Sequence, residues 1–216
     1  MVTNMKKTIV CFGDSNTWGY DAESGGRFDE NTRWTCLLRE RLGDAYYVVE
    51  EGLSGRTSVC EDPLFEGLSG ISYIHPCLLS HSPLHLVIIM LGTNDTKERF
   101  NLTSFNIAQG IVRLAQKAKG MAVGAGGKAP EVLVVAPPPI RPEYISTDIG
   151  NAMGKQCDVK ASELSTHLEK LLAPTDIHFA DAKQDVVMNE IDYMHLNKEG
   201  HQKMSEFMWK QITTIL

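Results

Sequence analysis

LVIIMLGTNDTK (86–97) joins a six-residue run without a polar side chain to a turn of small and polar residues. Six residues make less than two helical turns, and Val87, Ile88 and Ile89 are β-branched, so the run reads as a strand. Apolar and polar residues do not alternate along it, so both of its faces have to be covered. Residues 7–12, 46–50, 85–91 and 132–136 all read in this way, and IHFAD (177–181) supplies a fifth strand. Helical patterns fall between them at 32–43, 104–120 and about 155–172, and a last helix follows Asn197, whose side chain is placed to cap it. Strands alternating with helices predict an α/β fold with a central parallel five-stranded sheet covered on both faces.

A chain of 216 residues is long enough for one large domain, so residues 1–216 are expected to form a single one. The longest apolar runs, 86–91 and 132–136, are far too short to span a membrane. The opening MVTNMKKTIVCFG lacks the small-residue cleavage site of a signal peptide and reads as leading into the first strand. The net charge of −6, with no basic run, argues against nucleic acid or an anionic membrane and for a small-molecule partner. Five cysteines without C-x-x-C spacing fit free thiols in a reducing cytoplasm. No histidine has metal-ligand spacing, so no metal is expected. GMAVGAGGKAP (120–130) lacks the spacing of a phosphate-binding loop and enters a strand, so it reads as a loop.

In a parallel sheet, ligands lie beyond the carboxyl ends of the strands. GDSNTWG (13–19), EGLSGRTS (51–58) and LGTNDTK (91–97), about forty residues apart, should therefore line one crevice. EGLSG recurs at 66–70, but only the first copy follows a strand; Gly70 reads as a turn glycine in a loop extending from 56 to 83. Ser15 reads by itself as a helix cap, and as a nucleophile only if a base reaches it. IDYMHLNKEGH (191–201) offers Asp192 and His195 three residues apart, either as an acidic loop before a cap or as a carboxylate holding an imidazole. Gly55 is a turn glycine or an amide donor, and Asn94 a turn residue or an amide aimed at a developing oxyanion. His201 is expected on the solvated side of the last helix.

Taken together, GDS at 13–15, Gly55 in SGRT, Asn94 in GTND and Asp192-x-x-His195 resemble, in order and spacing, the four blocks of the SGNH (GDSL-type) hydrolases. The resemblance covers nearly the whole chain. It implies a flavodoxin-like three-layer α/β/α sandwich, with Ser15 as nucleophile, Ser15, Gly55 and Asn94 as oxyanion donors, and Asp192 and His195 as the acid–base pair. EEGLSGRTS (50–58) and LVIIMLGTNDTK (86–97) look like a narrower subgroup of short cytoplasmic arylesterases with acyltransferase activity, whose members can be oligomeric. A small-molecule ester as substrate and a homo-oligomer are thereby implied, the latter supported by the apolar residues of 56–83.

Two positions depart from the family pattern. Asn16 replaces the usual leucine, which would keep the entrance wet, and Met194 precedes the histidine. Trp18, Tyr20, Phe100 and Met194 adjoin the motif residues and are candidates for an apolar substrate pocket. The same residues would serve a carbohydrate O-deacetylase, and the fold would also serve a binding module that had lost catalysis. A phosphatase reading of DSNT fails at Asn16, where a second aspartate is needed.

Overall fold

A computed structural model describes residues 6–183, 186 and 188–216; MVTNM, the start of the segment weighed as a leader, lies outside them. Five strands, β1 (Lys7–Gly13), β2 (Tyr46–Gly52), β3 (Leu86–Met90), β4 (Glu131–Ala136) and β5 (His178–Asp181), form one sheet in the order β2-β1-β3-β4-β5. Every pairing is parallel. The order reverses direction between β1 and β3, which opens a crevice at their carboxyl ends.

Period-two packing sorts the strand side chains between two cores. Val10, Phe12, Val87, Ile89, Val132 and Val134 face one layer of helices, α3 (Gly70–Ser80), α4 (Ser104–Lys119) and α6 (Cys157–Leu172). Ile9, Cys11, Leu86, Ile88, Leu133 and Val135 face the other, α2 (Trp34–Leu42) and α7 (Lys198–Ile215). Burial on both sides explains why these strands carry unbroken apolar runs. Among the described residues, no helix is long and apolar enough to cross a membrane.

The Asn197 side chain accepts from Gly200 N–H at 2.8 Å and caps α7 as its position predicts. Two expectations need correction. The stretch 56–83 is not all loop, because α3 occupies its second half and buries Ile74, Cys77 and Leu78. Gly70 opens that helix and is not a turn residue: a Cβ there would lie 2.8 Å from the Thr57 carbonyl oxygen. The second EGLSG instead runs beside the segment following the first, with Thr57 N–H donating to Leu68 O and Gly70 N–H to Thr57 O, each at 3.0 Å. One copy thus supports the other from outside.

Candidate active site

β1 ends at Gly13, and Asp14 starts the single helical turn α1 (Ser15–Trp18) by accepting from Asn16 N–H at 3.0 Å. Asp14 therefore does the capping, and the Ser15 hydroxyl is left to reach across the crevice to His195 Nε2, 2.8 Å away. The two residues are 180 positions apart and both are buried.

The loop before α7 is shaped by Asn189 and Asp192. Asn189 Oδ1 accepts from the Ile191 and Asp192 N–H groups, and its amide donates to His195 O at 2.7 Å. Asp192 Oδ1 accepts from the Met194 and His195 N–H groups at 3.0 Å, leaving Oδ2 for His195 Nδ1 at 2.6 Å. Burial alone would raise the Asp192 pKa, but the hydrogen bond and charge of His195 bring the carboxyl down to about 2. An ionised carboxylate on Nδ1 leaves Nε2 as the acceptor facing Ser15 when the ring is neutral.

Asn16 holds the same loop from the other side. Its Nδ2 donates to Met194 O at 3.1 Å, and its Oδ1 accepts from Leu196 N–H at 2.9 Å. These two backbone groups flank His195. The expectation of a wet entrance at Asn16 is thus wrong: the side chain is buried, and its polar atoms bond the loop that carries His195.

Gly55 sits at φ +87°, where a side chain would strain the backbone. Asn94 opens a short helical turn after β3, and its Nδ2 is buried without a partner among the described residues. Asp95 ties the two segments together, because its carboxylate accepts from both the N–H and the hydroxyl of Ser58. Burial raises the Asp95 carboxyl to about 6 despite those bonds. Arg56, also buried, donates to Gly13 O at 2.9 Å and lies over the Phe12 ring, linking the Gly55 segment to the strand that leads into Ser15.

Ser15, Gly55, Asn94 and His195 all line one cleft of about 430 Å³. Tyr20, whose ring centre is 4.5 Å from that of His195, and Met194 line it as well, with Leu64, Phe65 and, from α5 (Asp148–Met153), Ile149 and Met153 adding apolar wall. Trp18 and Phe100 are outside this lining; Trp18 lies half-buried under Arg27, and Phe100 lies beside Arg99. His201 is fully buried, contrary to the expected solvated position. It shares the inward face of α7 with Met204 and Met208, and its Nδ1 accepts from Trp34 N–H, a donor of the first turn of α2.

Asn189, Arg56 and Asp95 were not singled out from the sequence. An Asn three residues before an Asp was a usable sign of an Asx turn at Asn189, whereas nothing local marks Arg56 or Asp95. One further cluster, Glu51, Cys77 and His81, brings three ligand-type atoms within 4.8 Å of one another. Burial and then Glu51 push the Cys77 thiol up to about 12, and His81 Nε2 bonds Glu51 at 2.8 Å.

A serine hydroxyl bonded to an imidazole, a carboxylate on the far ring nitrogen and an unpaired amide in the same cleft can together perform acyl transfer. The pattern of the GDSL-like lipase/acylhydrolase family matches residues 11–203. The chain is similar to the native M. smegmatis aryl esterase, at 38% identity over 97% of this chain and 100% of that one, with a TM-score of 0.90. It is equally similar to Est24, a carbohydrate acetylesterase from Sinorhizobium meliloti, at 38% identity over 98% and 100% of the chains and a TM-score of 0.91. A carbohydrate acetylesterase family member from the same organism matches at 31% identity over 97% and 99%, with a TM-score of 0.88. No curated protein matches the chain in sequence.

Proposed function

The chain belongs to the GDSL-like lipase/acylhydrolase family and is an esterase, and from that premise we propose that it hydrolyses short-chain aryl and alkyl esters through an acyl-enzyme on Ser15. Ser15 Oγ attacks the ester carbonyl as His195 Nε2 takes its proton, with Asp192 holding the ring and stabilising the imidazolium. The Ser15 and Gly55 N–H groups and Asn94 Nδ2 receive the oxyanion. His195 returns the proton to the departing alcohol, and water, activated by the same imidazole, releases the acid. A second alcohol in place of water completes acyl transfer. We assign no metal to this reaction.

The observation that carries this reading is the unbroken hydrogen-bond chain from Ser15 through His195 to Asp192, facing an unpartnered Asn94 amide. Ser15→Ala is expected to fold normally and to lose nearly all esterase activity and all labelling by a fluorophosphonate. Substantial turnover by folded variant protein would refute the role of Ser15, and an unlabelled wild type would favour an inactive binding module. Carbohydrate O-deacetylation remains a second reading, motivated by the similarity to Est24. A preference for acetylated sugars over aryl acetates would select it.

The whole chain is read as one hydrolase domain acting in the cytoplasm, which suits its free cysteines. Leu64 and Phe65, at the cleft, are 66% and 58% exposed, and that apolar surface supports a homo-oligomer. A monomer by light scattering at micromolar concentration would contradict the assembly.

A further inference from the structure

The protein is acidic overall, yet among the described residues the charged side chains lining the cleft beyond the Ser15–His195 pair are two cations, Lys97 and Arg99, and no carboxylate. Both cations follow Asn94 on the segment that leaves β3. Their shared counter-ion is Asp62, both of whose oxygens already accept hydrogen bonds. Asp62 Oδ1 accepts from Leu64 N–H at 2.9 Å, and Oδ2 accepts from Arg99 Nη2 at 2.8 Å. Lys97 Nζ is left 3.8 Å from Oδ2, beyond hydrogen-bond distance, although its side chain is only 9% exposed. Among the described residues the ammonium donates no hydrogen bond; Arg99 Nη1 donates to Ala152 O at 2.9 Å, and Arg99 Nε is buried without a partner.

Asp14 and Asp95 also act on Lys97 through their charge, but neither bonds its ammonium. Asp14 accepts from Asn16 N–H and Asp95 from Ser58, and burial raises the pKa of both carboxyls. The cleft wall therefore carries two cations against one carboxylate, and the ammonium of the mostly buried Lys97 side chain has no hydrogen-bond acceptor among the described residues. An anion supplied by the ligand would satisfy it. Burial and the neighbouring Arg99 lower the Lys97 pKa, in keeping with a cation short of acceptors.

We propose that Lys97 and Arg99 form an anion subsite in the cleft, so that the preferred substrates are esters carrying a second, carboxylate-type group. The inference rests on the esterase reading above and specifies its substrate class. The charged group is a spectator: the ester bond breaks as before, and the carboxylate remains on whichever product carries it.

The test compares kcat/KM for matched pairs. Nitrophenyl hydrogen glutarate against nitrophenyl methyl glutarate places the charge on the acyl side, and carboxyphenyl acetate against its methyl ester places it on the leaving group. The wild type is expected to favour the charged member of at least one pair by about tenfold, the scale of one charge-assisted hydrogen bond. Raised salt should weaken the preference. Lys97→Met should abolish it chiefly through KM, and Lys97→Arg should retain most of it. Equal turnover within both pairs, or a preference that survives Lys97→Met, overturns the subsite. Because the wild-type comparison is decisive by itself, it stands even if Lys97→Met fails to fold. Failure to turn over any of the four esters would strike the esterase reading instead, and calorimetry of glutarate binding to Ser15→Ala protein then decides the subsite without turnover. Saturable binding lost in the Ser15→Ala, Lys97→Met double variant supports it, and no binding refutes it.

Discussion

Asn94 and Asn16 carry the same side chain and do opposite things with it. Asn94 keeps its amide unpaired in the cleft, while Asn16 uses both polar atoms on backbone groups flanking His195. Asn94→Ala should therefore lower kcat by roughly 10²–10³ while leaving stability nearly unchanged, the usual result of removing one oxyanion donor. An unchanged kcat in single-turnover and steady-state assays would take Asn94 out of the reaction. Asn16→Ala leaves a buried carbonyl and a buried N–H without partners, at about 1–3 kcal/mol each. Loss of stability by denaturant unfolding is expected together with a kcat lowered by about tenfold, as the base loses its fixed position. Wild-type stability with wild-type turnover would show that the loop holds its shape without the amide.

The elements matter because of what their ends bring together. β1 delivers Ser15, β3 delivers Asn94, and the segment after β2 delivers Gly55, with Asp95 and Ser58 joining the last two. Asp95→Ala would leave the Ser58 N–H and hydroxyl buried and unpaired, so destabilisation of about 3 kcal/mol is expected. Turnover should fall as well, because the two donor segments lose their common anchor. An unchanged urea midpoint would remove this link from the account. Much of this level was legible in the residue order. The strands were, since double-sided burial demands unbroken apolar runs, as was the α7 cap at Asn197. The helix over Gly70–Ser80 was obscured by Pro76 inside it and by the glycine that starts it.

At the scale of the molecule, two buried groups titrate in opposite senses. Burial, then the charges of Arg33 and His195, lower the His201 pKa to about 4. His201 therefore contributes stability that is complete above pH 6.5 and is lost as pH falls toward 4, on the order of 3 kcal/mol. Asp95, raised to about 6, works in the reverse sense: its burial costs least below pH 4 and most above pH 6. The two offset each other in the wild type, so the difference from a variant is the quantity to measure. His201→Gln keeps an acceptor for Trp34 N–H and never ionises. Its stability relative to wild type should rise by on the order of 3 kcal/mol between pH 6.5 and pH 4. Parallel denaturant-midpoint curves over that range would show that His201 is not protonated by unfolding.

By itself the sequence determined the parallel α/β sheet, the strand ends that carry the chemistry and the residue types offered there, because periodicity and turn composition are local properties. Only the tertiary structure decided that Asp14 does the capping so that Ser15 is free for His195, that Asn16 is buried against the His195 loop, and that His201 faces inward. It also decided that Asp62 is spent on Leu64 and Arg99, leaving Lys97 short of an acceptor. Each of these depends on which partner a polar group meets across a packed interface. Such a pairing joins residues as far apart as 15 and 195, and no spacing along the chain records it.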